Sequence, residues 1–412
     1  MKKAAQTMPR AVALVLACLL VLVGAGCLPQ VTPTPEPVSI SVACPQELQE
    51  EFEALAEAFH KEQPHITVEL VTQGLYQLAD ADVYLFAPFE LNFVKDQLKL
   101  RDLAPLIDQD ESFNRADLYP GMLELFRYKE ETLGVPFVVD VRVMYYNRDL
   151  FDQYHVDPPT MEWTRDDFAR LAKKLYRPAQ DVFGYAPDSQ LLDPLTFIYQ
   201  HGGRIYDDFS TPTRTTLDDP LNVEALQWYI DLMYKNESAA TPLQARRAYG
   251  VAEGAIAGIR QGKLGMWSGW LSEQRLRGRK NGWPANSGIV PLPRDVTEAT
   301  LGWVVGGVIA ADAQSLDACW KWIVYLSKQP PGMMGMPVRK SVTGSEAYRR
   351  LVGKDVADVA AASIEHALLF SMHLYETYDG WRLYQEAAVG TTEGAMSPQE
   401  ALMQAQQKSN LK

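Results

Sequence analysis

The chain has 412 residues and carries 52 Asp and Glu against 39 Lys and Arg, a formal net charge of −13 at pH 7. That balance argues against a nucleic-acid partner, whose phosphates need a basic surface, and against electrostatic adsorption to anionic lipid. Hydrophobic residues make up 47%, which suffices for a packed core in a chain long enough for two domains or one large one.

The N-terminus reads as an export signal. Lys2, Lys3 and Arg10 precede a wholly apolar run from Ala11 to Val23, too short to span a bilayer comfortably and right for the h-region of a leader. Gly24-Ala25-Gly26-Cys27 follows. It resembles the acceptor site of a bacterial lipoprotein signal, in which the cysteine thiol takes a diacylglyceryl group. The pattern departs at one place, because Gly24 stands where such sites usually carry Leu or Val. An ordinary secretory leader cleaved nearby is the alternative, and both readings export the chain. Residues 1–26 are then the signal peptide and Cys27 the lipid attachment. Residues 27–37, with Pro29, Pro33, Pro35 and Pro37, form an extended tether. Removing the leader's three cations leaves 36 basic against 52 acidic residues, a net of −16. No later segment reaches 18 uninterrupted apolar residues, so none reads as a transmembrane helix.

Beyond the tether, Val38 to Cys44 alternates as a strand. A helix then carries Leu48, Phe52, Leu55, Ala56 and Phe59 on one face and stops at Pro64. Ile66 to Val71 and Asp82 to Phe86 read as the next strands, so the rhythm is that of a βαβ unit with a mainly parallel sheet. Only Thr72 to Ala81 separates the second strand from the third, too short for a full crossover helix. Thr164 with Asp167 predicts a capped helix bearing Phe168, Leu171, Ala172 and Leu175. Another helix runs from about Leu221 through Leu226, Tyr229 and Met233. Ser315 predicts the cap of a helix with Cys319, Ile323 and Leu326 inward. Ser397-Pro398-Gln399-Glu400 is a capping box with proline at the first helical position, followed by Ala401, Leu402 and Ala405 on one side. Cys44 and Cys319 read as buried small hydrophobes, with a disulfide between them as the alternative.

Three segments in order go beyond fold class. The first is Val135 to Phe151, with Asp140 and Arg142 inside an apolar run, followed by Asp157-Pro158-Pro159 and Trp163. The second is Ala257 to Trp270, containing Gly265-Met266-Trp267-Ser268-Gly269-Trp270. The third is Gly288 to Pro293, then Trp303-Val304-Val305-Gly306-Gly307 and the helix around Trp320. Their order and spacing resemble the extracellular solute-binding proteins of ABC importers, in the carbohydrate-binding family that includes maltose-binding protein. That resemblance implies an α/β, two-lobe periplasmic-binding-protein-like fold (type II) with a ligand cleft. The first lobe is then 38–137 plus 294–328 and the second 143–289 plus 340–412, with hinge crossings at 138–142, 290–293 and 329–339. It also implies a carbohydrate ligand, ABC permease subunits as partners and an extracytoplasmic, membrane-anchored location.

A sugar ring offers an apolar C–H face and a rim of hydroxyls, which aromatic rings and carboxylates, amides or guanidinium groups match. By the resemblance Trp270 stacks on the ligand, a core tryptophan being the alternative, while Trp267 reads as core. Trp381 opens a late helix, at the cleft or in core packing. Trp303 lines the cleft from the first lobe, and Gly306 lets backbone approach the ligand or serves a strand-end turn. Asp140 bonds hydroxyls or pairs with Arg142 across the hinge. Asp193 matches a sugar-contacting loop, Arg339 enters near the hinge or lies solvated, and Glu90 and Gln73 are first-lobe candidates. No zinc spacing, nucleophile elbow or phosphate loop occurs, so no metal, cofactor or catalytic residue is expected. A sensor or adhesin of the same fold is the rival reading. A glycoside hydrolase using Asp140 and Asp193 is the remaining enzyme reading.

Overall fold

The computed structural model describes residues 36–409, except 74–77, 96, 188–190, 251–253, 281 and 374–377. The expected leader, Cys27 and the tether up to residue 35 lie outside the described residues. β1 (Val38–Pro45) passes through one helical turn into α1 (Gln49–Glu62), which buries Phe52 and Phe59. Phe52 meets Phe137 edge-on at 6.1 Å, and Phe59 meets Trp322 edge-on at 5.2 Å. β2 (Ile66–Gln73) returns parallel to β1 in unbroken register from Val38↔Ile66 to Pro45↔Gln73, completing the βαβ unit. β3 (Val83–Phe86) pairs parallel with the other side of β1, and α2 (Pro88–Val94) follows it.

β4 (Val135–Asn147) is thirteen residues long and buried throughout. After it come α3 (Arg165–Lys174), β5 (Phe183–Tyr185), α4 (Leu192–Gln200), α5 (Pro220–Tyr234), α6 (Pro242–Tyr249) and α7 (Ala255–Arg260). Next are β6 (Leu264–Trp270), β7 (Ser287–Val290), β8 (Thr300–Ile309), α8 (Leu316–Lys328) and β9 (Met336–Pro337). The chain ends with α9 (Lys354–Ile364), β10 (Ala367–Leu369), α10 (Tyr378–Thr392) and α11 (Pro398–Lys408).

Among the described residues, these ten strands form one curled sheet in the order β2-β1-β3-β8-β4-β6-β5, with β7 and β9 added on β4 and β10 on β8. β4 joins its halves. Val135 to Val141 pair antiparallel with β8, while Arg142 to Tyr146 pair antiparallel with β6. The first lobe is thus built on β1–β3, β8 and the start of β4, the second on β5–β7 and the end of β4. Alternation along β4 sends Val143 and Tyr145 into the core shared with the first lobe, and Met144 and Tyr146 into the core beneath α3–α5.

Local signals in the sequence are met in most places. Thr164 and Asp167 form a full capping box, and Phe168, Leu171 and Ala172 are buried. Ser397 Oγ accepts from the Glu400 N–H at 3.2 Å. Ser315 stands at the N-terminus of α8, but its side chain makes no capping bond. Leu221 is 40% exposed, so the inward face of α5 starts later. Cys44 and Cys319 are free and buried, and burial pushes both thiols up to about 12.

The lobe boundaries move relative to the expectation. Residues 294–299 stay bonded to the second lobe: Arg294 N–H donates to Trp163 O, Thr297 N–H to Gln200 O, and Gln200 Nε2 to Ala299 O. Residues 329–343 are tied to the first lobe, where β9 pairs with Val138 and Val139 and Ser341 bonds Asp117. After α9, β10 pairs with Thr300 to Gly302.

Two expected site residues are explained by first-lobe packing. A Cβ on Gly306 would lie 2.5 Å from the Phe126 ring and 2.9 Å from Val135 O, so the missing side chain accommodates core contacts. Arg339 is 1% exposed. It lies against Phe113, donates to Ser327 Oγ and Asn114 O, and pairs with Asp117 at 3.7 Å, so it is buried rather than solvated. Gly306→Ala should lower the urea midpoint by about 1–3 kcal/mol of stability, the usual cost of overpacking. Ligand affinity of the folded fraction should stay unchanged.

Candidate ligand-binding site

Asp140 and Arg142 stand two apart on β4, so both side chains leave the same face of the sheet. Register places Trp303 of β8 opposite Asp140 and Trp270 of β6 opposite Arg142. Four functional side chains therefore share one face where the strand passes from lobe to lobe. Trp270 and Trp303 are both half-buried, with centroids 6.1 Å apart and planes tilted by 53°. The Arg142 guanidinium lies 5.4 Å from the Trp270 ring centroid, within cation–π range. Tyr145 fixes the backbone beneath, its hydroxyl donating to Trp270 O at 2.8 Å.

Arg142 is anchored from the second lobe. It donates to Asp193 Oδ1 at 2.9 Å and to Ser268 Oγ. Ser268 Oγ in turn donates to Asp193 Oδ1 at 2.5 Å, and the Tyr185 hydroxyl donates to Asp193 Oδ2. Both charged side chains are 3% exposed. A pair buried this deeply is tolerable because the carboxylate takes additional donors and because Asp193 sits in the first turn of α4, where the helix dipole favours an anion.

Asp140 is held less completely. Its Oδ1 accepts from Ser272 N–H at 3.0 Å, whereas Oδ2 is buried without a hydrogen-bond partner among the described residues. The Trp303 indole N–H is near enough to favour the carboxylate's charge, yet short of hydrogen-bond geometry. Burial pushes the Asp140 carboxyl up to about 6 against the pull of Ser272. Glu273, three residues past Trp270, is pushed up to about 7 by burial, with Arg142 opposing and Asp140 reinforcing. Two flat indole faces beside a buried carboxyl group and a fixed guanidinium can hold a ring with one apolar face and a hydroxyl rim.

The structure brings Trp270, Trp303 and Asp140 together. Asp193 adjoins them, but its carboxylate is taken up by Arg142, Ser268 and Tyr185. Through these bonds it holds Arg142 in place. The hinge pairing considered for Asp140 and Arg142 is replaced by Arg142–Asp193. Trp267 is core, stacked on Tyr145 at 5.8 Å. Trp381 lies with Phe370 and Tyr384, at 5.6 and 6.0 Å between centroids. Phe370 N–H donates to Gly302 O, which sets this aromatic group beside the strand carrying Trp303. Gln73 ends β2, and its buried Oε1 has no partner among the described residues. Glu90 accepts from Ala87 N–H at 2.7 Å, and burial raises its proton affinity. Both lie at the C-terminal ends of the first lobe's parallel strands, the edge past which β8 runs back from Gly306 to Trp303. Gly306 and Arg339 are packed within the first lobe, as described above.

Sequence reasoning missed Ser268, Tyr185, Ser272 and Glu273 as members of the site. For Arg142 a signal existed, since two charges two apart in an apolar strand must share one face. Nothing local marks the others, which are assembled by strand pairing.

Comparison with known proteins agrees with this architecture. The family model of the bacterial extracellular solute-binding proteins matches residues 45–330. An arabinooligosaccharide-binding protein of Halalkalibacterium halodurans is 30% identical over 189 residues, which is 45% of this chain and only 40% of that protein's length. An ABC substrate-binding protein of Listeria monocytogenes, solved in complex with cycloalternan, aligns with a TM-score of 0.72 at 18% identity, covering 90% of this chain and 98% of that one. A maltose-bound protein of T. maritima aligns with a TM-score of 0.67 at 20% identity over the same shares. These structural likenesses show the two-lobe fold.

The raised carboxyl groups set a pH dependence. Ordinary carboxyl values of about 4 apply in the unfolded chain, so between there and about 7 the folded state holds protons that the unfolded state has released. Their contribution to stability is present at low pH and is lost as pH rises through the folded values. Urea unfolding at pH 5 and pH 8 should show this loss, and Asp140→Asn should remove on the order of 1–3 kcal/mol of the difference. A slope identical in the variant would refute the assignment to Asp140.

Proposed function

The chain belongs to the bacterial extracellular solute-binding proteins, and we propose that it binds a sugar or oligosaccharide at the lobe crossing and passes it to an ABC permease. The observation that carries this reading is the Trp270–Trp303 pair beside Asp140, whose Oδ2 has no hydrogen-bond partner among the described residues. The indoles supply area for the C–H face of a ring. Asp140 supplies a hydrogen-bonding group whose desolvation is already met by the fold. Arg142, locked by Asp193, presents its charge without the entropy cost of being ordered on binding. Gln73 and Glu90 at the edge of the first lobe's sheet, and Trp381 beside Phe370, complete the proposed set. The related arabinooligosaccharide-binding protein and the cycloalternan complex support a carbohydrate ligand.

The same reading places the protein outside the cytoplasmic membrane, held by a lipid on Cys27 and the proline-rich tether. It involves no covalent chemistry; of the hydrolase pair considered, Asp140 with Asp193, the second member is bonded to Arg142, Ser268 and Tyr185. Selection among ligands then rests on stacking area, on hydroxyl bonding and on how well each ligand favours the closed arrangement of the lobes.

Calorimetric titration against a carbohydrate panel tests this. Trp270→Ala should weaken the bound sugar at least tenfold, about 1.4 kcal/mol, while leaving the melting temperature within a few degrees. Unchanged affinity would remove the stacking assignment, and turnover of a glycoside would overturn the binding-protein reading.

A further inference from the structure

A cavity of about 510 Å³ opens from Arg142, Trp270 and Glu273 and is lined by second-lobe residues alone. Neither Trp303 nor Asp140 lines it, so it is room additional to the lobe crossing. Its size lies within the range of sites that enclose small organic ligands. Gly269 lets Glu273 fold across the strand, since a Cβ there would lie 2.4 Å from Glu273 Oε2. Arg246 of α6 and Glu393, just past α10, also line the cavity and form a two-pronged pair at 2.9 and 2.9 Å. Ile256 and Val389 add apolar lining while remaining 38% and 49% exposed. Trp267 and Trp283 also line the cavity. They are 2% and 7% exposed, and their indole N–H groups have no acceptor among the described residues. A buried donor without an acceptor is costly and rare.

We propose that this cavity is a second subsite, continuous with the crossing, and that the ligand is therefore an oligosaccharide rather than a monosaccharide. This rests on the sugar-binding reading and specifies its substrate class. One ring sits at Trp270 and Trp303, and the following rings occupy the cavity lined by Glu273, Ile256, Val389, Arg246 and Glu393. Apolar walls with charged groups among them repeat the chemistry of the crossing: C–H faces against the walls, hydroxyls on the carboxylates and guanidinium.

The test is calorimetry with arabino- and malto-oligosaccharides of one to four units on the wild type, Ile256→Trp and Val389→Trp. The substitutions fill the cavity from two different helices at exposed positions and leave Trp270 and Asp140 untouched, so loss of folding in one variant leaves the other to decide. In the series that binds, wild-type affinity should climb at least tenfold from one unit to three. Each folded variant should lose at least tenfold for the trisaccharide and keep the monosaccharide within twofold. Affinity independent of length, or trisaccharide binding unaffected by both substitutions, overturns the second subsite and leaves the crossing site standing. Binding of no sugar from either series overturns the parent reading and this inference with it.

Discussion

Two charges in a fully buried strand are the constraint on which the rest of this molecule is arranged. β4 runs through both lobes without an exposed residue, and an isolated charge in such a place would be expensive. The fold offsets Arg142 by spending three second-lobe groups on one pair: Asp193 from α4, Ser268 from β6 and Tyr185 from β5. It leaves Asp140 only half satisfied. The cation is fixed in place, while the carboxyl group retains an oxygen without a partner among the described residues.

Strand pairing does the positioning. Once β4 commits its first half to β8 and its second half to β6, residues directly opposite are determined, and the two tryptophans fall on the same face as the two charges. No loop has to carry them there. Side chains on paired strands are placed more tightly than side chains on loops. The proton affinities follow from the same burial. Asp140 and Glu273 are both pushed up by burial, which outweighs the opposing pull of Ser272 on Asp140 and of Arg142 on Glu273.

The path of the chain between lobes shows why crossing points are hard to place without coordinates. Residues 294–299 carry no apolar pattern that says which lobe owns them. Their backbone hydrogen bonds to Trp163 and Gln200 decide it, and those partners lie about a hundred residues away in sequence. The stretch that includes β9 and Arg339 is held to the first lobe by a two-residue strand and one buried guanidinium. Gly306 illustrates the same point at the level of one residue. A glycine beside a cleft suggests room for a ligand, yet the space its missing side chain leaves is filled by Phe126.

What the sequence by itself determined was local: periodicity placed α1, α3, α5 and α8, the capping residues marked where α3 and α11 begin, and alternation identified β1 and β2. It also carried the family, through the order of the Val135, Gly265 and Trp303 segments, and with it the expectation that Trp270, Trp303 and Asp140 belong to one site. Those features were legible because backbone periodicity and side-chain polarity are written in neighbouring residues. Only the tertiary structure decided that Arg142 pairs with Asp193 instead of Asp140, that Glu273 and Ser268 join the site, and that Gly306 and Arg339 serve packing. Each of these depends on which distant strand or helix meets which. That is a matter of register and of where a buried charge finds its partner, and no short stretch of residues contains it.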